Sequence, residues 1–504
     1  MKHPIALVLA LALLSSALGS TAPARADDAA SLLAKHRTYV GWQFGDGTLT
    51  SLKAKGKITT TKDGKTETYR DVTVLRLGIL SRTTLHDPKT DRSEESGFTG
   101  NLFWQSDDNG FKSPVLGDAQ KLAIDQDMIF NEVTTAMPGV LRGNETIDGT
   151  PCTIVRISPQ NAFAMDLYVD PSTGAYKRVV IDPDGANQTV LDILAYAPAS
   201  PGKLVASKYA RKNSTRTLEF TSIEGNAPVA PAALHPPDQV ASWTFANGKP
   251  FPVTITDDRV YFEATVNGTK GKFILDTGNG IGMVFTKKFA DRANLKEIEK
   301  GVGYGIGGAN TTHYAKVDAF VVGGNTLSNV IAHYSDFGNL DADGIIGYTL
   351  LAGVISRLSF SERTLTIEDP STDISAVQGI HTVVDLSSGQ PTLPMKLDKT
   401  IDVNATLDSG NPLYVLFGQD IIYKYGVRMV RGELLAGGVG GYEVEECGHI
   451  DDLSIGPIDF QTPSACVSPA FTGRDVLVGF AFMKNFDFVF DYPHSAMVVT
   501  PIER

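Results

Sequence analysis

The sequence is poor in cysteine and lacks the short motifs in which cysteine or histidine commonly binds a metal. Only Cys152, Cys447 and Cys466 occur in 504 residues. Neither C-x-x-C nor H-E-x-x-H is present, so a zinc site has no support and we expect no metal or other cofactor. G-x-S-x-G is absent too, which argues against a serine nucleophile on a strand-to-helix turn.

Basic charge is also scarce. The chain has 45 Lys and Arg against 57 Asp and Glu, a formal charge of -12, and it contains no Lys/Arg-rich run. Such a balance argues against a broad electrostatic surface for nucleic acid or anionic lipid. We therefore expect no nucleic-acid partner.

Long hydrophobic runs are confined to the first residues. A short basic start is followed by an apolar stretch from Ile5 to Leu18 and by the small residues around Ala24 and Ala26. This order is typical of a secretory signal peptide over residues 1–26, with the mature chain starting near Asp27. The alternative is an uncleaved anchor, for which the apolar stretch is short. No cysteine follows it to carry a lipid. We expect a secreted or periplasmic protein without stable membrane insertion.

The length predicts two or three domains. Residues 27–225 form one block, in which a short helical pattern, DDAASLLAKH, precedes alternating, Thr-rich segments. Turn signals such as Asp148-Gly149 separate these segments, which predicts an α+β domain built on a curved antiparallel sheet. By pattern alone the block resembles the half-barrels of periplasmic lipoprotein-sorting proteins. A Pro- and Ala-rich stretch, 226–240, predicts a semi-rigid linker.

The remainder of the chain is a tandem duplication. Asp276-Thr-Gly and Asp408-Ser-Gly each follow a short apolar run, and each precedes a glycine-rich segment and an apolar-apolar-Gly segment. The distance from Asp276 to Asp343 is 67 residues, and so is the distance from Asp408 to Asp475. A single Asp-Thr/Ser-Gly is most simply an Asx turn. Two copies in register with matching flanking segments predict two homologous β-lobes.

The chemistry of the paired motifs follows from their placement. Each Asp ends a strand at a tight turn, and lobes packed about a pseudo-twofold axis would bring both turns together. Two adjacent carboxylates in a partly dry cleft share one proton and titrate in coupled steps. The ionised Asp can then take a proton from water while the protonated Asp supports the carbonyl oxygen of an amide. This predicts hydrolysis without metal or covalent intermediate.

Residues from about 250 to 504 thus resemble the aspartic proteases of the pepsin/retropepsin type. The resemblance rests on Leu-Asp-Thr-Gly at 275–278, Leu-Asp-Ser-Gly at 407–410 and the apolar-apolar-Gly segments at 345–347 and 477–479. It implies a mainly β, bilobal acid-protease fold, with lobe 1 at 241–370 and lobe 2 at 371–504. It also implies an aspartic-type endopeptidase that binds an extended peptide or protein. Because one chain carries both lobes, we expect a monomer.

The resemblance also assigns site residues. Asp276 and Asp408 would be the catalytic pair, with Thr277, Gly278, Ser409 and Gly410 as supporting residues. The flap candidates over the substrate are Gly303, Tyr304, Gly305, Gly437 and Gly438. For Tyr304 an ordinary aromatic at a hairpin tip is the favoured interpretation. The residue after each motif glycine, Asn279 or Asn411, departs from the Ala, Ser or Thr usual in the family, which puts the pH optimum in doubt.

Three questions stay open at the level of sequence. Cys447 and Cys466 are equidistant from the Gly456-Pro457 turn and would face each other in a hairpin, either as a disulfide or as two reduced, buried thiols. The protease scaffold could instead hold a peptide or lipoprotein without cleaving it. The N-terminal block could bind lipid or lipoprotein, recruit substrate or shield the cleft.

Overall fold

A computed structural model of the chain describes the following residues: 28–62, 65–185, 188–212, 214–236, 238–246, 248–305, 308–338, 340–418, 432–438, 441–468 and 476–503. The predicted signal peptide lies outside these ranges. The described protein is mainly β and contains large antiparallel sheets. None of its described helices is both long and apolar enough to span a bilayer.

The chain divides into two compact units, each with its own core. Unit 1 contains the described residues up to Pro88 together with Ser93–Trp104 and Leu116–Pro236. Unit 2 contains Lys89–Arg92, Gln105–Val115 and the described residues after Pro236. Two short segments from within the predicted N-terminal domain therefore belong to the second unit.

The elements up to Pro236 are α1 (Ala29–Val40), β1 (Ser51–Lys62), β2 (Lys65–Leu77), β3 (Leu80–Asp87), β4 (Arg92–Phe98), β5 (Phe103–Ser106), β6 (Lys112–Pro114), α2 (Gly117–Phe130), β7 (Gly139–Ile147), β8 (Thr150–Ile157), β9 (Met165–Val169), β10 (Tyr176–Ile181), β11 (Thr189–Ser200), β12 (Lys203–Arg211) and β13 (Arg216–Gly225). Single 3-10 turns cover Val133–Ala136 and Pro231–Leu234.

In unit 1 the strands follow the order β5-β4-β3-β2-β1-β13-β12-β11-β10-β9-β8-β7. Adjacent strands in sequence are mostly neighbours in the sheet, and β1 pairs antiparallel with β13. The predicted turn at Asp148-Gly149 joins β7 and β8, and both residues have positive φ angles, which Asp and Gly tolerate. The predicted antiparallel sheet is present.

Helix α1 forms where DDAASLLAKH predicts a helix. Asp28 caps its start by accepting a 2.8 Å hydrogen bond from the Ser31 N–H, and Gly41 ends it in the left-handed region. Its apolar face, with Leu32 and Leu33, packs against buried side chains of the sheet. The stretch predicted as a linker packs in this unit as far as Pro236, since Leu234 is buried and Arg82 donates to the Ala233 carbonyl.

The later elements are β14 (Ser242–Thr244), β15 (Phe251–Pro252), β16 (Thr254–Ile255), β17 (Val260–Val266), β18 (Thr269–Leu275), β19 (Met283–Thr286), α3 (Lys287–Arg292), β20 (Glu297–Gly305), β21 (Gly308–Val322), β22 (Asn325–Ser335), β23 (Gly344–Ile346), α4 (Tyr348–Leu351), β24 (Ile355–Ser359), β25 (Thr364–Glu368), β26 (Ile380–Val383), β27 (Thr392–Leu397), β28 (Ile401–Asp408), β29 (Val415–Gly418), β30 (Gly432–Gly438), β31 (Gly441–His449), β32 (Asp452–Ile455), β33 (Ile458–Gln461), β34 (Ser464–Ser468), β35 (Val476–Gly479), α5 (Phe480–Met483), β36 (Phe486–Asp491) and β37 (Ala496–Pro501). A 3-10 turn covers Tyr492–His494.

Unit 2 contains two sheets with the same strand pairings. We call residues 260–351 repeat 1 and residues 392–483 repeat 2. The matched pairs are β17–β18 with β27–β28, β17–β21 with β27–β32, β18–β23 with β28–β35, β19–β22 with β29–β34, β19–β23 with β29–β35 and β20–β21 with β30–β31. The duplication in the sequence is therefore a duplication of topology.

A third sheet in unit 2 links the ends of the two repeats. Its order is β15-β25-β24-β36-β37-β26, and its central pair is β24 with β36, the strand that follows each repeat. These strands are antiparallel, with Ile355 opposite Asp491 and Leu358 opposite Phe488. One large apolar core extends through both repeats and includes Phe273, Leu407 and Phe488. The apolar cores of the two repeats are therefore continuous.

Segment 105–115 is built into unit 2. Phe111 is only 1% exposed and belongs to its main apolar core. Asn109 pairs with the backbone of Ile331 through both side-chain amide atoms, accepting from its N–H at 2.8 Å and donating to its carbonyl at 3.2 Å. Because backbone groups of β22 depend on it, this segment is a structural part of the unit.

Candidate active site

The two Asp-Thr/Ser-Gly turns lie at equivalent points of the two repeats. Asp276 directly follows β18, and Asp408 is the last residue of β28. Each strand runs parallel to the strand carrying the apolar-apolar-Gly segment, with Leu275 opposite Ile346 and Leu407 opposite Val478. The apolar runs before the aspartates are buried on these strands, and this anchors the start of each turn.

The apolar-apolar-Gly segments support the turns through their backbones. In repeat 1 the Asp276 N–H donates to the Ile346 carbonyl at 2.9 Å, and in repeat 2 the Phe480 N–H donates to the Asn411 carbonyl at 2.7 Å. A Cβ on Gly347 would lie 2.4 Å from the Asp276 carbonyl oxygen, so only glycine fits there. Asp475, which completes the equal spacing in the sequence, lies outside the described residues.

The hydroxyl groups of Thr277 and Ser409 join the two turns. Thr277 Oγ1 donates to the Leu407 carbonyl at 2.8 Å and accepts from the Ser409 N–H at 3.0 Å. Ser409 Oγ reciprocates, donating to the Leu275 carbonyl at 2.8 Å and accepting from the Thr277 N–H at 3.1 Å. Both side chains are completely buried. Four hydrogen bonds related by the repeat therefore fix one turn against the other.

The same arrangement brings the two carboxyl groups together. A Cβ on Gly278 would lie 2.2 Å from Asp408 Cγ, and a Cβ on Gly410 would lie 2.4 Å from Asp276 Cγ. Each carboxyl group thus lies directly against the glycine of the opposite turn. Asp408 Oδ1 accepts from the N–H groups of Gly410 and Asn411 at 2.9 and 3.2 Å.

The environment of Asp276 opposes its ionisation. Burial, then the charge of Asp408 and then a hydrogen bond between the two carboxyl groups raise the pKa of Asp276 well above its usual range. The N–H groups of Gly278 and Asn279 act in the opposite direction. Within the described part of the chain, Asp276 Oδ1 is buried and has no hydrogen-bond partner. The pair therefore holds a proton to higher pH than an isolated aspartate would.

We expect Gly278→Ala and Gly410→Ala to displace the opposite carboxyl group, because the new methyl would overlap it. Unfolding free energy should fall by about 1–3 kcal/mol, and any activity that needs both carboxyl groups should fall roughly a hundredfold. Chemical denaturation and an activity assay measure the two effects. Gly303→Ala is the control for stability, since its Cβ would meet nothing closer than 3.8 Å. Wild-type stability and activity in both Gly278→Ala and Gly410→Ala would contradict this geometry.

The asparagines after the motif glycines stabilise the turns. Asn279 Nδ2 donates to the carbonyls of Gly282 and Ile345 at 2.9 and 3.1 Å. Asn411 Oδ1 accepts from the Leu413 N–H at 3.1 Å. Asn411 Nδ2 is buried without a partner in the described structure. In the described structure these side-chain hydrogen bonds go to backbone groups, so turn structure accounts for asparagine at both positions.

Both glycine-rich segments are at the tips of β-hairpins. β20 and β21 pair as far as Gly305 opposite Gly308, and β30 and β31 pair as far as Gly438 opposite Gly441. Gly303 and Tyr304 lie in β20 and Gly437 lies in β30. Residues 306–307 and 439–440, which follow β20 and β30 in the chain, and the Tyr304 side chain lie outside the part of the chain that is described. A flap role for these glycines remains a proposal.

Cys447 and Cys466 form a disulfide. They are opposite each other on the antiparallel strands β31 and β34, and the register continues through β32 and β33 to the turn at Gly456. The sequence left open a disulfide or two reduced thiols, and the structure contains the disulfide. The bond ties the second hairpin strand of repeat 2 to β34, which runs beside β29.

Removal of this disulfide should destabilise unit 2. The double variant Cys447→Ala/Cys466→Ala is expected to lose about 3 kcal/mol of unfolding free energy, since the bond closes a loop of 19 residues. Denaturation of wild type with and without reductant checks the result. Cys152→Ala, which removes the buried free cysteine, should leave the effect of reductant unchanged. Two free thiols in the oxidised protein would contradict the pairing.

One residue that contacts the first turn escaped the sequence analysis. Gln390 lies in the segment before β27, and its Nε2 donates to the Gly278 carbonyl. Its neighbours Gly389 and Pro391 signal only a turn. No motif marks Gln390. It lies 132 residues after Asp258, the same offset that separates Thr277 from Ser409, so Asp258 is its counterpart in repeat 1.

A family model described as aspartyl protease matches residues 262–350. The matched region contains the first turn and its supporting segment, and it leaves the second turn outside. No curated protein matches the chain.

Several solved structures resemble part of the chain. A DUF1329 family protein from Desulfovibrio piger is 11% identical, covering 41% of this chain and 95% of its own, with a TM-score of 0.31. A putative outer membrane lipoprotein-sorting protein domain from Vibrio parahaemolyticus is 10% identical (40% and 93%; TM-score 0.29). A LolA superfamily protein from Nitrosomonas europaea is 16% identical (42% and 98%; TM-score 0.32). TM-scores this low do not establish a shared fold.

Proposed function

We propose that unit 2 is an aspartic-type endopeptidase that hydrolyses peptide bonds with a water activated between Asp276 and Asp408. The observation that carries the proposal is the mutual placement of the two turns, in which each carboxyl group lies against the glycine of the other. The family match to an aspartyl protease over residues 262–350 supports it. The repeated topology, which supplies the second turn, supports a bilobal acid-protease fold.

The proposed reaction begins with one proton shared by the two aspartates. The ionised carboxylate removes a proton from water, and the water oxygen forms a bond to the carbonyl carbon of the peptide. The other carboxyl group donates its proton to the carbonyl oxygen, which gives a neutral tetrahedral intermediate. Transfer of a proton to the amide nitrogen then permits cleavage of the C–N bond, and the products are a carboxylic acid and an amine.

The features around the pair suit this chemistry. Burial and the neighbouring charge, which raise the pKa of Asp276, keep one proton in the pair at a pH where free aspartates are ionised. The cross-turn bonds of Thr277 and Ser409 hold the carboxyl groups in place without using their oxygens. Preorganised acid and base of this kind lower the barrier because little rearrangement accompanies the proton transfers.

The test is cleavage of an unfolded protein by the purified chain from Asp27 onward, between pH 3 and 8. New termini are identified by mass spectrometry, with and without an inhibitor that mimics the tetrahedral intermediate of aspartic proteases. Cleavage blocked by the inhibitor is expected. A folded protein that cleaves nothing, in the full chain or after processing, would contradict the proposal. Tight peptide binding without cleavage would instead support the non-catalytic alternative.

A further inference from the structure

Residues 385–391, which we call the 385–391 loop, connect the two repeats at the catalytic turns. The loop is anchored in repeat 2, because Asp385 and Thr392 exchange backbone hydrogen bonds of 2.7 and 3.0 Å. Leu386 is buried in the core. The Pro391 carbonyl accepts from the N–H of Leu407, the residue before Asp408, at 2.9 Å. The loop is therefore held against the strand that carries Asp408.

From this anchor the loop reaches the turn of repeat 1. Gln390 Nε2 donates to the Gly278 carbonyl. A Cβ on Gly280 would lie 2.4 Å from the Ser388 carbonyl oxygen, and a Cβ on Gly389 would lie 2.6 Å from that of Gly280. The two backbones are thus in direct contact, and glycine on both sides permits it.

The hydrogen bond of Gln390 is one step from the carboxyl group of Asp276. The Gly278 carbonyl and the Asn279 N–H belong to one peptide group. That N–H donates to the main-chain carbonyl of Asp276 at 3.1 Å, and its position beside the carboxyl group lowers the pKa of Asp276. A donor on the carbonyl polarises the peptide and strengthens its N–H as a donor. The contact also fixes the plane of this peptide, and hence the direction of the N–H.

Gln390 itself is constrained and incompletely satisfied. It is about 9% exposed, and its Oε1 is buried with no hydrogen-bond partner among the described residues. The amide orientation is fixed, since only Nε2 can donate to a carbonyl. A buried acceptor without a partner is costly. The specific interaction of this side chain in the described structure is thus the bond from Nε2 to Gly278.

The second turn has no equivalent contact in the described structure. Asp258 occupies the position in repeat 1 that corresponds to Gln390, and its side chain is 51% exposed. It accepts a 2.8 Å hydrogen bond from Thr256 in its own loop. The two aspartates, equivalent by the repeat, are therefore distinguished by the 385–391 loop.

We propose that Gln390 is a positioning residue that acts on Asp276 through the Gly278–Asn279 peptide and makes the two catalytic aspartates unequal. The inference rests on the proposed function, in which both carboxyl groups act. Gln390 is not expected to contact the scissile bond. Its contribution is to hold one carboxyl group at the distance and orientation that the shared proton requires.

The test compares Gln390→Met with Gln390→Glu in the full mature chain. Methionine keeps the volume and removes the donor, so kcat should fall roughly tenfold to a hundredfold, with KM changed less. A protonated glutamic acid can still donate to the Gly278 carbonyl, whereas the carboxylate cannot. The Glu variant should therefore approach wild type at acid pH and approach the Met variant as pH rises.

The comparison is made as the ratio of each variant to wild type across pH 3 to 8. Asp276, Asp408 and Asp385 are the other carboxyl groups around this loop, so the Glu variant is also compared directly with the Met variant at each pH to isolate the effect of the introduced carboxyl group. Gln105→Met is the matched control, since Gln105 Nε2 donates to another carbonyl of the same loop, that of Ser387, at 3.1 Å. Its kcat should stay within about twofold of wild type.

A second readout does not need turnover. Loss of the donor should raise the pKa of Asp276 further, and NMR titration of its carboxyl carbon in Gln390→Met against wild type measures the change. If wild type cleaves nothing, the proposed function fails, and this titration alone decides the positioning role. Unchanged kcat and an unchanged titration in Gln390→Met would overturn the inference. If Gln390→Met does not fold, the pH dependence of Gln390→Glu still decides.

Discussion

Asp276→Asn and Asp408→Asn are each expected to lower kcat/KM for a cleaved peptide by about 10³-fold or more, because an amide can neither take a proton from water nor share one. The two single variants should be nearly as inactive as the double variant, since the carboxyl groups act as one unit. Steady-state kinetics on one peptide measures the loss.

The control for these variants is Asp341→Asn. Asp341 is in repeat 1, and its side chain is 91% exposed and pairs with Lys272. Its loss should leave kcat/KM unchanged, because exposed ion pairs of this kind contribute little. Activity that survives in both dyad variants would point to a different site or to a contaminating protease.

Asp276→Asn should also stabilise the fold at neutral pH. The pKa of Asp276 is raised in the folded protein, so the folded state binds the proton more tightly than the unfolded chain. The contribution of this proton to the unfolding free energy is fully present below the ordinary Asp pKa of about 3.9. It is lost as pH rises through the pKa of Asp276 in the folded protein, by at most about 1.4 kcal/mol per pH unit. Asp276→Asn removes this pH-dependent loss of unfolding free energy, because asparagine does not ionise. Denaturation at pH 4 and pH 7 should show a smaller decrease for the variant than for wild type.

Thr277→Val is expected to be among the most destabilising single changes in unit 2. The substitution keeps the shape and removes two buried hydrogen bonds, leaving the Leu407 carbonyl and the Ser409 N–H without partners. At about 1–3 kcal/mol for each unsatisfied group, the loss should be about 2–6 kcal/mol. Activity should fall as well, because the two turns lose their alignment. Chemical denaturation and kcat/KM are the measurements.

Conservative exchanges separate the hydroxyl group from the rest of the side chain. Thr277→Ser and Ser409→Thr keep the hydroxyls and should retain most of the stability and activity. Ser409→Ala removes the reciprocal pair of bonds and should resemble Thr277→Val. The double variant Thr277→Val/Ser409→Ala should lose less than the two single losses added together, since the residues form one network. If Thr277→Val were as stable as Thr277→Ser, the cross-turn network would be unimportant.

Much of unit 2 could be predicted from local sequence. The two Asp motifs and the two apolar-apolar-Gly segments repeat with one spacing, each repeat has a glycine-rich segment between them, and matching sequences form matching strand pairs. The cysteine pairing could be predicted only as one of two outcomes. Equal distance from a turn places two residues opposite each other, but it does not determine whether their thiols are oxidised.

Other features depend on distant contacts. Phe111 and Asn109 lie in a segment whose local pattern resembles the rest of the N-terminal block, yet they pack in unit 2. Gln390 is an ordinary polar residue between a glycine and a proline, and its contact with Gly278 joins residues 112 apart in the chain. The side-chain roles of Asn279 and Asn411 likewise follow from backbone groups that the turns bring close. Local propensity carries no information about such contacts.

The most direct test of the proton-sharing pair is NMR titration of the Asp276 and Asp408 carboxyl carbons in protein labelled at aspartate, assigned with the two asparagine variants. We expect two coupled steps in wild type, with one apparent pKa well above about 3.9. In Asp408→Asn, Asp276 should titrate in a single step. Two independent titrations in the ordinary aspartate range, unaffected by substitution of the partner, would contradict a shared proton and with it the proposed mechanism.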